Sequence, residues 1–189
     1  LQTREEIGKI QKKTGIPTLF VTHDQEEAMS ISDRIVVMRD SILMQQGRPQ
    51  EVYDNPANLF VAKFLGTPPI NVFEGQLQNG QLFLGGVNVL PTTGVQDGPV
   101  WVGIRPEGFL PEANGPLTCG LNRVEVLGRD TSIVCTHPAC QADTLRAIVR
   151  PEQLSGPMGS AVRFALKPEK VFLFDRAAGQ RLRFGGPTA

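Results

Sequence analysis

The apolar and polar positions of residues 1–66 alternate between a helical pattern and a strand pattern. Residues 4–14 carry Ile7 and Ile10 among charged and amide side chains, which is typical of a solvated helix, and Gly15 follows as a C-cap residue. The next elements are a strand over 18–22, a helix capped by Asp24, a buried strand over 35–38, its hairpin partner over 42–46, and short helices beginning at Pro49 and Pro56. This order is that of the closing edge of an α/β domain.

The pattern changes after Gly66-Thr67-Pro68-Pro69, which we interpret as the boundary between a domain over 1–66 and a domain over 67–189. Beyond it, short apolar runs recur between Gly, Pro and Asn turns, at 72–77, 82–84, 100–104, 123–127, 132–135, 145–149, 161–166 and 171–174. Many short strands with regular turn signals predict a small β-barrel or sandwich.

The composition excludes several classes of function. Nineteen basic residues balance nineteen acidic residues, so the chain has no strong field to attract nucleic acid or an anionic membrane. No apolar run approaches the roughly 18 residues of a membrane-spanning helix. Three cysteines are an odd number and favour a reducing cytoplasm over a disulfide framework. Cys135, His137 and Cys140 lack an obvious fourth ligand, so we expect no metal site there.

The candidate chemistry centres on His23, which ends the predicted strand over 18–22. The carboxyl end of a buried strand faces the crevice where open α/β sheets bind ligands. A histidine whose hydrogen bonds are simply satisfied at a strand end is the alternative. Glu26 and Glu27 follow as first-turn helix charges. The phosphate-binding loop is absent, because Gly8-Lys9 lies inside a helix that consumes its amides, and 154–157 is interpreted as a turn.

A series of short motifs resembles the ATP-binding subunits of ATP-binding-cassette importers of the maltose, glycerol-phosphate, sulfate and polyamine kind. In chain order they are Phe20-Val21-Thr22-His23-Asp24-Gln25, Glu27-Ala28-Met29, Asp33-Arg34-Ile35-Val36-Val37-Met38, Gln46-Gly47, the set Pro49, Glu51 and Tyr53, Asn55-Pro56, Phe60-Val61-Ala62 and Phe64-Leu65-Gly66. The resemblance identifies residues 1–66 as an α/β fragment, the end of a P-loop ATPase domain.

For His23 the resemblance implies catalytic and cofactor-binding roles, through an imidazole that contacts the γ-phosphate of ATP. ATP and Mg are the cofactors implied for the full-length protein, and none is expected in this fragment, which we expect to be inactive alone. The implied partners are a second copy of the chain, two transmembrane permease subunits and, indirectly, a substrate-binding protein, with no nucleic acid. The implied location is cytoplasmic, peripheral on the inner face of the cell membrane.

The second half resembles the accessory domain of the same importers, which implies a mostly β, OB-like barrel. The motifs are Gly103-Ile104-Arg105-Pro106-Glu107, Val124-Glu125-Val126-Leu127-Gly128, Phe164-Ala165-Leu166 and Pro168-Glu169. Arg105 and Glu107 are either ligand contacts or a pair that caps a turn and forms an ion pair, and Gly108-Phe109 departs from many relatives. A non-catalytic module for dimerisation and ligand sensing is therefore the alternative to an importer ATPase, for which sugars are the expected cargo.

The fragment also presents a stability problem. In a complete ATPase domain the strands over 18–22 and 35–38 would be buried on both faces, so here they would expose apolar edges. We expect residues 1–65 to pack on the barrel, to self-associate or to be partly disordered.

Overall fold

The computed structural model describes residues 2–154 and 159–185, and the side chains of residues 2–5, 7 and 12 lie outside that description. The first part of the chain contains α1 (Gln2–Thr14), α2 (Gln25–Ile31), β1 (Ile35–Arg39), β2 (Ile42–Gly47), α3 (Pro49–Asp54) and α4 (Leu59–Phe64). Gly15 follows α1 with φ +67°, as the C-cap assignment requires. The turn predicted over 154–157 falls mostly outside the described residues.

The predicted strand over 18–22 is wrong. Residues 15–22 have no regular structure, and Leu19 and Val21 are 91% and 87% exposed. A strand exists only where a neighbour accepts its hydrogen bonds. The nearby sheet contains β1 and β2 alone, and within the described residues no third strand extends it.

The strand over 35–38 is present and has one exposed face, as expected for this strand outside a complete ATPase domain. Ile35 and Val37 of β1 are buried, whereas Val36 and Met38 on the other face are more than half exposed. The hairpin partner is present, and Asp40 and Ser41 form the turn with positive φ, as a tight hairpin favours. The apolar run was therefore correctly placed as a strand, but only one of its faces has a covering layer.

The rest of the chain is mostly β, which confirms the predicted fold class. Its strands are β3 (Asn71–Gln78), β4 (Gln81–Leu84), β5 (Val87–Pro91), β6 (Gly98–Ile104), β7 (Phe109–Pro111), β8 (Leu117–Leu127), β9 (Asp130–Thr136), β10 (Leu145–Val149), β11 (Ala161–Leu166), β12 (Val171–Asp175) and β13 (Arg181–Leu182). All eight predicted runs lie inside these strands; β5, β7 and β13 were not predicted.

Two antiparallel sheets form the barrel-like body. One sheet has the order β10-β9-β8-β11-β7, and the other has the order β13-β12-β6-β3-β4-β5. A single continuous apolar core that includes Phe73, Val102, Phe164 and Leu173 lies between them. Asn71, at the start of β3, joins the sheets: its side chain donates to the carbonyl of Ile104 and both accepts from and donates to the backbone of Arg146.

Gly115 gives a sharp test of this packing, because a Cβ there would lie 2.6 Å from the carbonyl oxygen of Phe164 and 2.7 Å from the amide nitrogen of Ala165. Backbone atoms of a paired strand cannot move aside cheaply. We expect Gly115→Ala to lower the free energy of unfolding by about 1–3 kcal/mol in urea denaturation. Gly159→Ala is the matched control, since no atom lies within 4 Å of its Cβ position, and an equal loss in both variants would contradict the packing described.

Candidate functional site

His23 lies on an exposed turn that connects the irregular segment over 15–22 to α2. The backbone on both sides of it is held by side chains. The Thr22 hydroxyl accepts a hydrogen bond from the amide of Asp24 at 3.0 Å and donates to Glu27 at 2.9 Å. Local hydrogen bonds therefore fix the turn, while the imidazole remains accessible to a ligand. The strand and crevice that were predicted to position His23 do not do so, and these local hydrogen bonds hold its turn instead.

Asp24 is the N-cap of α2, as predicted. Its Oδ1 accepts hydrogen bonds from the amides of Glu26 at 2.9 Å and Glu27 at 3.1 Å. Both acidic residues lie in the first helical turn, where negative charge is favourable. Glu27 also accepts the Thr22 hydroxyl, so hydrogen bonds within the turn account for its position.

Gln25 connects this turn to the end of α4. The backbone amide of Gly66 donates a hydrogen bond of 2.6 Å to the Gln25 side-chain oxygen. Gly66 is the residue at which the domain boundary was predicted, and it has φ +112°, a conformation that favours glycine. The turn that carries His23 is thus tied to the junction with the barrel.

Arg105 lies on the barrel side of the same junction and is fully buried. Its Nη1 donates to the carbonyls of Ala62, at 3.0 Å, and Leu65. Its Nη2 donates to the carbonyl of Tyr53 at 2.8 Å, and the guanidinium stacks 3.8 Å from the centre of the Tyr53 ring. The three carbonyls belong to the C-terminal ends of α3 and α4, where a cation is favourable. Burial lowers the pKa of Arg105, and the nearby Tyr53 and Glu107 oppose that shift.

The ion pair between Arg105 and Glu107, one of the two alternatives that the sequence left open, is not formed. The Glu107 carboxylate instead accepts the Tyr53 hydroxyl at 3.1 Å and pairs with Lys170 at 3.5 Å. Lys170 in turn bonds Asp54 at 2.9 Å. Burial raises the pKa of Tyr53 to about 12, and Glu107 adds to that rise. Because the Arg105 guanidinium donates to backbone carbonyls of α3 and α4, it joins these helices to the barrel.

Sequence reasoning missed three members of this junction: Gln25, Tyr53 and Lys170. Gln25 and Tyr53 are part of the motifs that carry the family resemblance, but their partners lie 41 and 52 residues away in the chain. The presence of Gln25 and Tyr53 in these motifs was therefore the available signal, and it did not show what either residue contacts.

The cysteines do not assemble a metal site within the described part of the chain. No group of three His, Cys, Asp or Glu side chains converges there. Cys119 and Cys135 are buried in the barrel, and burial raises the pKa of both thiols to about 12. The Nδ1 of His137 accepts the amide of Ala139 at 3.1 Å, which occupies it in a local turn.

Residues 102–174, the part of the barrel that begins within β6 and includes Arg105, match the family model of the TOBE domain. Over nearly its whole length the chain is related to the ATP-binding subunits of importers, as its motifs indicated. Among the described residues no helix is long and apolar enough to cross a membrane.

Three curated relatives illustrate this. The sn-glycerol-3-phosphate import ATP-binding protein UgpC of Jannaschia sp. (strain CCS1) is 39% identical over 183 residues, which are 96% of this chain and 51% of that protein. The diacetylchitobiose uptake system ATP-binding protein MsiK of Streptomyces coelicolor is 34% identical over 96% of this chain and 54% of its own length. The lactose transport ATP-binding protein LacK of Rhizobium radiobacter is 38% identical over 95% and 53%. The chain spans about half the length of these relatives.

Arg105 gives a direct test of the junction. A lysine cannot reach three carbonyls and stack on a ring with one ammonium group. We expect Arg105→Lys to lower the free energy of unfolding by about 2–4 kcal/mol, because buried carbonyls lose charged donors. Urea denaturation followed by circular dichroism measures the loss. Arg123→Lys, at an exposed pair with Glu125, is the matched control and should change stability by less than about 0.5 kcal/mol.

Proposed function

We propose that this chain is the C-terminal portion of the ATPase subunit that powers an ABC importer. The single observation that carries the proposal is the ordered set of motifs around and after His23, together with relatives named as import or transport ATP-binding proteins over 95–96% of the chain. The TOBE domain fits the same assignment. Such a subunit converts ATP hydrolysis into movement of the permease.

In this proposal His23 senses the γ-phosphate. Phosphoryl transfer accumulates charge on the γ-phosphate oxygens, and enzymes accelerate it mainly by positioning and electrostatics. An imidazole N–H that donates to one of these oxygens distinguishes ATP from ADP. The exposed imidazole on a turn fixed by Thr22 and Asp24 supports this role. Among the described residues no group of three His, Cys, Asp or Glu side chains converges, and Asp24 and Glu27 accept hydrogen bonds that fix the turn, so these residues do not fit Mg.

The cargo we propose is a sugar. Two relatives are named for the sugars diacetylchitobiose and lactose, while several others are named for sn-glycerol-3-phosphate. The segment Gly66-Thr67-Pro68-Pro69 followed by Asn71 resembles that of sugar importers, which favours a sugar. The partners are a second copy of the chain, two permease subunits and, indirectly, a substrate-binding protein, at the cytoplasmic face of the membrane. The balanced charge of the chain speaks against nucleic acid.

The first test removes the imidazole. In the full-length protein, His23→Ala is expected to lower kcat for ATP hydrolysis by about 100-fold or more, since it removes a donor aimed at developing charge. Glu26→Gln, on the same turn, is the control and should leave turnover near that of the unaltered protein. The present chain alone should show no ATP turnover. Robust hydrolysis by this chain, or unchanged kcat in His23→Ala, would contradict the proposal.

A non-catalytic module for dimerisation and ligand sensing is the second candidate, and two observations favour it for these residues. The end of the β8–β9 hairpin exposes an apolar strip of Val124, Val126 and Leu127, with Val126 76% exposed. A cavity of about 560 Å³ lies between the chain after α4 and the β9–β10 connection, and Lys63 and Arg146 are among its lining residues while no carboxylate is. Such a cavity is of ligand size.

Light scattering tests the dimer. At micromolar concentration we expect this chain to be a dimer whose mass ATP does not change, because the exposed strip of one copy covers that of the other. Val126→Lys should shift the population to monomer. Val87→Lys changes an exposed valine elsewhere on the barrel and should leave the dimer intact. If the unaltered chain is a monomer, or if both substitutions have equal effects, the proposed dimer interface is wrong.

A further inference from the structure

Helix α4 belongs to two apolar clusters at once. Val61 and Leu65 pack in the cluster that contains Ile35 and Val37 of β1, against which Ala28 and Met29 of α2 also lie. On its other side Ala62 packs with a separate cluster of barrel side chains, which are Ile70, Val72, Phe172 and Phe174. The helix is therefore a shared layer between the elements that carry His23 and the barrel.

Gly66, directly after this helix, contacts both sides. Its amide donates to the Gln25 side-chain oxygen at 2.6 Å. A Cβ at the same residue would lie 2.9 Å from the Tyr53 ring and 3.3 Å from Nη1 of Arg105. Gly66 therefore binds the histidine turn through its amide and lies beside the buried guanidinium, with no room for a side chain between them.

The hydrogen bonding to the end of α4 is stronger on the barrel side than on the turn side, where α2 is otherwise held by the apolar packing of Ala28 and Met29. Arg105 holds the end of α4 through two charged hydrogen bonds and α3 through a third. The turn side is joined to Gly66 by one neutral hydrogen bond, which contributes about 0.5–1.5 kcal/mol. A displacement of α4 relative to the barrel is therefore transmitted to Gln25, two residues after His23, and this bond is the step most easily broken.

We propose that Gln25 and Arg105 are positioning residues that couple the TOBE barrel to the orientation of His23, through the sequence Arg105, end of α4, Gly66 and Gln25. The inference rests on the proposed role of His23 toward ATP. It assigns to the barrel an influence on ATP turnover that needs no contact between barrel and nucleotide. A ligand or partner that prefers one arrangement of α4 on the barrel also shifts the equilibrium of the histidine turn. The shift is limited by the difference between its binding free energies for the two arrangements.

Hydrogen exchange on this chain tests the coupling without ATP. Arg105→Lys should speed exchange of the amides of Asp24, Glu26 and Glu27 by about 2- to 10-fold, the range that one neutral hydrogen bond spans. In a Gln25→Ala background the same Arg105 substitution should no longer change these rates. Unchanged exchange in Arg105→Lys, or an equal increase with and without Gln25, overturns the coupling.

Turnover in the full-length protein tests its consequence. Gln25→Ala should lower kcat for ATP by about 2- to 10-fold with KM for ATP unchanged, because orientation is lost and binding is not. Gln25→Glu keeps an acceptor oxygen for the Gly66 amide and should restore most of kcat, whereas Glu26→Ala, at the neighbouring position, should have no effect. If His23→Ala abolishes turnover and Gln25→Ala leaves kcat unchanged, the coupling fails while the proposed function stands; if His23→Ala itself has no effect, the proposed function fails.

Discussion

The fully buried guanidinium of Arg105 sets how the first part of the chain meets the barrel. A charge removed from water is costly unless hydrogen bonds compensate it. Three N–H groups of the guanidinium donate to carbonyls of α3 and α4, and the Tyr53 ring covers its face, while the buried Nε has no hydrogen-bond partner. These groups hold the charge only if both helices end at this place. The position of the helices on the barrel is therefore a condition for burying Arg105, and Arg105 in turn satisfies helix ends that would otherwise lack partners.

The same constraint explains why the junction contains a glycine. The chain must leave α4 next to the guanidinium and the Tyr53 ring, and any Cβ at Gly66 would enter that space. Its positive φ also turns the chain toward the start of β3 and leaves its amide free to reach Gln25. Gly66, which the sequence marked only as a boundary, thus leaves room for the buried guanidinium and the Tyr53 ring, turns the chain toward β3 and presents its amide to Gln25.

The sequence predicted the parts of the fold that local patterns encode. The eight apolar runs of the barrel and the N-cap at Asp24 were correct, because alternation and capping depend on neighbours in the chain. The strand over 18–22 was wrong, because pairing depends on neighbours in space. The role of Arg105 could not be predicted, since its acceptors are backbone carbonyls, which every residue carries. The partners considered for Arg105 were a ligand and the Glu107 side chain, whereas the carbonyls that accept its hydrogen bonds belong to residues 40 to 52 positions earlier in the chain.

The turn that carries His23 shows the same distinction between contacts to neighbours in the chain and contacts to residues distant in the chain. Its hydrogen bonds run between residues two to five positions apart, so the turn keeps its shape even where the preceding segment forms no strand. Its placement relative to the rest of the protein, in contrast, depends on long-range contacts, which include the bond from Gly66 to Gln25 and the packing of Ala28 and Met29 against the cluster that contains Val61 and Leu65. A rigid local turn on an adjustable attachment is suited to a sensor, because its chemistry is preserved while its position responds to the packing of α4 on the barrel.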